Sequence, residues 1–299
     1  MSTSKEEDLR IIGGRYARRG EFPHAVLISF RPHSSSCGGG ILSPLYVLTA
    51  CHCTVTISDP STYGGIFQKK SGDYSNTRVV AGTLTRDPPH DQGYQLRWVF
   101  RWMQHPQCEF LFTGEWLFDT AIIQVAARFF FNELVQPIPI PAIPYELFAA
   151  VKLYQVVQRT CHVAGWGFTA ARRSDSRNAH YSNPSKYLKT LLLRLMPPYY
   201  CNLLLCEYSR YRNCIENYTL ETPDRLCAKS VRLTEHARDG SVCGGDSGST
   251  LICGGLAVGT VSYTSGCISH KDPVVYSRID KALNFISKYY INSPDYVGE

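Results

Sequence analysis

Residues 244–248 read Gly244-Gly245-Asp246-Ser247-Gly248. A serine between an acid and a glycine, behind two more glycines, sits on a sharp turn with its hydroxyl exposed. The glycines let backbone N–H groups converge on one point. Donors that converge where negative charge develops are worth about 3–4 kcal/mol each by removal. An ordinary Gly/Ser turn has the same composition, so the pentapeptide needs partners elsewhere. A serine hydroxyl is a poor nucleophile without a base.

Leu48-Thr49-Ala50-Cys51-His52-Cys53 supplies a candidate base. His52 follows an apolar strand and is flanked by cysteines able to fix its backbone. The chain has nine histidines, and the other eight lack this setting. A third group has to orient the imidazole and balance its charge. Asp119-Thr120-Ala121-Ile122-Ile123 places an acid at the head of an apolar strand. A buried carboxylate is costly without such a purpose.

The chain has 299 residues, 44% hydrophobic and 19% charged, which excludes global disorder. No apolar run approaches the roughly 18 residues of a membrane helix, so no membrane span is expected. The net charge of +6 is small and scattered, so nucleic acid is not an implied partner. Twelve cysteines, an even count, suit a disulfide framework in an extracellular protein. Zinc needs wider ligand spacing than Cys51-His52-Cys53 offers, so no metal and no cofactor are expected. Residues 1–10 are polar and lack the apolar core of a signal peptide. With the cysteines, this predicts a secreted protein whose leader is missing from the sequence.

Short apolar runs recur at 25–30, 41–49, 94–102, 120–125, 188–195, 250–252, 256–262 and 274–279, bounded by Gly, Pro, Ser and Asn. Regular short strands with turn signals indicate an all-β sandwich or barrel. Residues 281–290 have helical spacing and read as one terminal helix. Residues 58–76, 169–185 and 202–224 read as long surface loops, the last with a glycosylation sequon at Asn217.

The order His52, Asp119, Ser247 resembles the chymotrypsin-like (trypsin-fold) serine endopeptidases over roughly residues 11–290. Ile11-Ile12-Gly13-Gly14 resembles the family's mature N-terminus, and Arg10 its activation cleavage site. Cys161-His162-Val163-Ala164-Gly165-Trp166-Gly167 and Ser262-Tyr263-Thr264 resemble two further family segments, the second the strand that pairs with substrate backbone. The resemblance implies two six-stranded antiparallel β-barrels with the active site between them. It divides the chain into an activation peptide (1–10), a protease domain (11–290, halves about 11–135 and 136–280) and a tail (291–299). It implies His52, Asp119 and Ser247 as catalytic residues, the N–H groups of Gly245 and Ser247 as oxyanion hole, and an Ile11 ammonium buried against Asp246 after cleavage. The chain carrying residues 1–10 is then a zymogen.

By the same resemblance Cys37 pairs with Cys53, Cys161 with Cys253, Cys201 with Cys227, and Cys243 with Cys267. Cys206 and Cys214 lie in one insertion and are candidates for a local pair. Cys51 either pairs with Cys108 or stays a buried free thiol. The pocket floor falls on Ser241 and its walls on Thr264 and Val274, with Ser262 on the substrate strand. Trypsin-like enzymes carry Asp at the floor and open-pocket members glycine at the walls. Small or medium aliphatic residues are therefore expected before the scissile bond, a large aromatic second. Ser249-Thr250 departs from the usual Gly-Pro, and a positive φ at Ser249 would cost stability. Calcium ligands are not evident in 81–93. The implied partners are protein or peptide substrates, an activating trypsin-like protease and protein inhibitors. A catalytically silent homologue acting as a binding or regulatory protein is the alternative; such proteins usually lose a triad member, and all three are present here.

Overall fold

The computed structural model describes residues 14–30, 35–57, 67–69, 76–87, 92–111, 115–168, 183–208, 224–231, 240–264 and 273–291. Six strands form a first closed barrel: β1 Ala25–Phe30, β2 Ser36–Ser43, β3 Tyr46–Thr49, β4 Thr77–Ala81, β5 Gln95–Gln104 and β6 Ala121–Val125. Their order is β6-β3-β2-β1-β4-β5, and β5 returns antiparallel to β6. Val26, Ile28, Ile41, Val47, Val79 and Ile123 fill its interior. The opposite faces are buried as well. Leu42, Leu48 and Ile122 join the core of the second barrel, and Leu27 and Val80 pack with Ala164 and Trp166. Strands covered on both faces read as continuous apolar runs rather than alternating ones. The run at 41–49 is of this kind; Pro44 and Leu45 break it into the hairpin of β2 and β3.

The second barrel comprises β7 Thr160–Gly165, β8 Lys189–Leu195, β9 Arg225–Ser230, β10 Thr250–Cys253, β11 Leu256–Thr264 and β12 Val274–Arg278. Their order is β8-β7-β10-β11-β12-β9, closed by pairing of β9 with β8. The short strand Arg15–Tyr16 adds to β8. The fold is thus all-β with two six-stranded antiparallel barrels, as expected.

Among the described residues three helices accompany them: α1 Pro144–Val156, α2 Pro198–Tyr208 and α3 Ile279–Ile286. The terminal helix was expected over 281–290; it begins two residues earlier and ends in the 3-10 turn Ser287–Tyr289. Helices α1 and α2 were not foreseen. In α1 the buried Leu147, Val151 and Gln155 recur every four residues. Exposed Tyr145, Leu153 and Val156 put apolar residues on its other faces and erase the stripe. Helix α2 occupies the start of the stretch 202–224 that was read as loop.

Disulfides join Cys37–Cys53, Cys161–Cys253 and Cys201–Cys227, as expected, and Cys51–Cys108, which settles the choice left open for Cys51. Cys206 and Cys243 are also disulfide-bonded; Cys214 and Cys267 lie outside the described residues. Cys51 and Cys108 are separated by 57 residues and sit in a small apolar cluster with Val55 and Ala121. Closing a loop of that length restricts the unfolded chain. Replacing both cysteines by alanine should lower the unfolding free energy by about 4 kcal/mol in urea titration. A loss below about 1 kcal/mol would show that this link is not a stabilising one.

Candidate active site

Strand β3 runs through Ala50 into a 3-10 turn, Cys51–Thr54, that carries His52. The cysteines on either side are buried and tied to different segments, Cys51 to Cys108 just after β5 and Cys53 to Cys37 on β2. The imidazole, 22% exposed, is held by a backbone gripped from both sides. The His52 N–H donates to Asp119 Oδ1 at 2.9 Å, and His52 Nδ1 lies 2.7 Å from Asp119 Oδ2. An ionised carboxylate only accepts, so the shared proton sits on Nδ1; in the neutral ring Nε2 is then the acceptor.

Asp119 is 1% exposed. Ser262 Oγ, from β11 of the second barrel, donates to the same Oδ2. Burial alone pushes this carboxyl up, but the His52 charge and the hydrogen bonds from His52 and Ser262 outweigh it and hold Asp119 below its ordinary value. The group is therefore ionised at neutral pH. Its favourable pairing is lost only as pH falls through the lowered pKa.

The residue before Asp119 has an uncommon backbone. Phe118 has φ 45°, in the left-handed region that a bulky side chain rarely adopts. Two contacts hold it there. Its ring stacks on His105 with centroids 4.8 Å apart, and its N–H donates to Asp224 Oδ2. Asp224 is 3% exposed and directly precedes β9 of the second barrel. Burial raises its carboxyl above the ordinary range, and the Asp119 charge adds to the rise. Ser277 Oγ lies 3.0 Å from Thr120 Oγ1 and also reaches Asp224. Sequence reading missed Asp224, because it closes a polar stretch assigned to a surface loop and its purpose is a contact 106 residues away.

The Ser247 turn docks on the segment that leads into His52. The Ser247 carbonyl accepts the Gly38 N–H at 2.7 Å, and Cys53 Sγ lies 3.8 Å from the same oxygen. Gly248 has φ 81°, and a Cβ there would strike Thr49 Oγ1 and the Gly38 carbonyl and come within 2.9 Å of the Ala50 nitrogen. Gly245 has φ 95°, which glycine alone adopts without strain. Ser249 is not among the residues at positive φ, so the strain considered for it does not arise. Asp246 is 1% exposed and accepts the N–H groups of Gly167 at 2.8 Å and Cys243 at 3.0 Å. Burial raises its carboxyl to about 6, against those two bonds and the Arg86 charge.

Ser241 is buried, with its hydroxyl on the Val242 carbonyl at 3.0 Å. Thr264 and Val274 are direct cross-strand partners on β11 and β12. Ser262, expected only as part of the substrate strand, turns its hydroxyl onto Asp119. Arg10, Ile11, Cys267 and Asn217 lie outside the described residues. A hairpin of Glu109–Phe110 and Trp116–Leu117 sets the Trp116 ring 5.8 Å from the His52 ring. Glu115, 8% exposed, bonds Arg225 at 3.2 Å and the Tyr263 hydroxyl at 2.9 Å, and so ties this hairpin to the second barrel. Cys51, Cys108 and Asp119 lie close enough to suggest a metal site, but the two sulfurs are bonded to each other.

If Asp224 positions Asp119 through the Phe118 N–H, Asp224→Ala should lower kcat about tenfold with little change in KM. Asp224→Asn keeps an acceptor for that N–H and should recover most of the loss. Equal losses in both variants, or a change confined to KM, would argue against the role.

The family model described as "Trypsin" matches residues 11–286. The chain is 29% identical to human testisin over 293 residues, covering 95% of this chain and 79% of testisin. It is 26% identical to human transmembrane protease serine 5 over 288 residues, covering 93% of this chain and 51% of that protein. The chain thus spans about half the length of that second relative. Among the described residues no helix is long and apolar enough to cross a membrane. With a family match over nearly its whole length and the two-barrel fold, the chain belongs to the trypsin family of serine proteases.

Proposed function

We propose that the chain is an endopeptidase that cleaves peptide bonds through an acyl-enzyme on Ser247. The observation that carries this reading is the doubly hydrogen-bonded His52–Asp119 pair, with the Ser247 turn docked on the same segment. Ser247 Oγ attacks the carbonyl carbon as its proton passes to His52 Nε2. Asp119 holds the imidazole and balances its charge. The N–H groups of Gly245 and Ser247 receive the oxyanion. His52 then protonates the departing amine, and water repeats the sequence to release the acid and restore Ser247. Glu115–Arg225 and the Tyr263 hydroxyl keep the barrels in register around the cleft. Ser247→Ala should abolish labelling by a fluorophosphonate probe on Arg10-cleaved protein. Persistent labelling of that variant would refute the assignment.

Cleavage after Arg10 activates the chain in this reading. The new Ile11 ammonium buries against Asp246 and orders the oxyanion hole. The raised Asp246 carboxyl supports it. Such a group stabilises the fold below its unfolded pKa of 3.8, and that contribution is lost as pH rises through about 6. Above that pH the buried charge costs on the order of 3 kcal/mol unless a cation meets it. The Ile11 ammonium is that cation until pH rises through its own pKa, which pairing lifts above about 8. Cleaved protein should therefore melt higher than intact protein at pH 7.5, with the gap closing at pH 5. An equal gap at both pH values would contradict the pairing.

The buried Ser241 and the facing side chains of Thr264 and Val274 support a short, uncharged pocket. A peptide library should show graded preference for small or medium aliphatic residues before the scissile bond, since each methylene is worth about 1–3 kcal/mol. A strong arginine preference would overturn this. The four disulfides among the described residues fit an extracellular setting, where a trypsin-like protease cuts after Arg10 and protein inhibitors meet the cleft.

A further inference from the structure

A groove of about 620 Å³ opens on the second barrel between α2 and the paired strands β8 and β9. None of its lining residues belongs to the cleft around His52. One wall is apolar, with Met196, Leu203, Leu204 and Val231. The other carries two cations. Arg194 on β8 and Lys229 on β9 are direct cross-strand partners. Like charges placed opposite each other on a sheet repel, so such a pair is unfavourable without an anion. Neither side chain makes an ion pair or side-chain hydrogen bond among the described residues. Ser230, also in the lining, pairs with the core residue Leu193, so its side chain is on the opposite face of the strand from Lys229. Two cations without a partner among the described residues, beside an apolar wall, suit a peptide with acids next to an apolar residue.

The chain carries such a peptide. Glu6-Glu7-Asp8-Leu9 precedes the described residues, which begin at Gly14. Arg15 pairs with Thr190 and Tyr16 with Lys189, antiparallel to β8. The chain before Arg15 is therefore directed along β8 toward Leu192, whose carbonyl already accepts the Val231 N–H at 3.1 Å in the groove lining. Arg194 is four residues along β8 from Thr190, about 13 Å at strand rise. Asp8 is seven residues before Arg15, a reach of about 23 Å if extended. The segment spans the distance with slack.

We propose that this groove is a peptide-binding site whose occupant, in the uncleaved chain, is its own acidic segment Glu6–Leu9. Glu6, Glu7 and Asp8 face Arg194 and Lys229, and Leu9 lies against the apolar wall. Arg10 is then held beside the second barrel until it is cut, and residues 1–10 leave the groove afterwards. That regulatory meaning rests on the reading that cleavage after Arg10 activates the protein, but the docking does not.

Zero-length carbodiimide cross-linking of the intact 299-residue chain, read by peptide mass spectrometry, tests it. An amide between Lys229 and Glu6, Glu7 or Asp8 within one chain is expected. Its yield should fall at least fivefold in 0.5 M salt and in Arg194→Glu. A synthetic peptide of residues 1–10 should also bind the Arg10-cleaved protein at least fivefold more weakly once Arg194→Glu and Lys229→Glu are both present. The proposal is overturned if Lys229 joins other acids only, if the link forms between separate chains, or if the peptide binds the double variant as it binds the parent. These readouts locate the acidic segment whether or not cleavage switches on activity.

Discussion

The Asp119 carboxylate is the point on which the two barrels agree. It is almost fully buried, and burying an unpaired charge would cost more than a domain of this size has to spare. The first barrel answers with two hydrogen bonds from His52, and the second with the hydroxyl of Ser262. The second barrel also fixes the backbone just before it, through Asp224 and the Phe118 N–H. Separating the barrels would strip the carboxylate of one of its three donors. Correct docking of the barrels and a correctly held imidazole are therefore one condition, not two.

Asp119 and Asp246 are both buried carboxylates, yet their environments drive them apart. Asp119 has an imidazole partner and is held below its ordinary value. Among the described residues Asp246 has two backbone N–H groups and the charge of Arg86, and burial lifts it to about 6. Separated pKa values of this kind mark different roles for chemically identical groups. The first is already matched to its partner. The second makes no ion pair among the described residues.

Much of this was legible in local sequence. Positive φ at Gly245 and close packing at Gly248 demand glycine, so the Gly-Gly-Asp-Ser-Gly turn announces itself without long-range information. Strands buried on one or both faces left their apolar runs in plain view. What could not be read depends on contacts between distant residues. Asp224 and the Glu115–Arg225–Tyr263 link owe their roles to barrel docking, and nothing in their neighbouring residues signals burial. Helix α1 was hidden because exposed apolar residues blur its buried stripe. The Cys51–Cys108 pairing needed the approach of the turn at His52 to the segment after β5.

Proton NMR of the protein in water reads the central hydrogen bond directly. The proton held between His52 Nδ1 and Asp119 Oδ2, 2.7 Å apart, should give a single resonance far downfield of the amides. It should survive in Ser247→Ala and vanish in Asp119→Ala. A parent protein without that resonance, or one in which it persists after Asp119→Ala, would contradict the account.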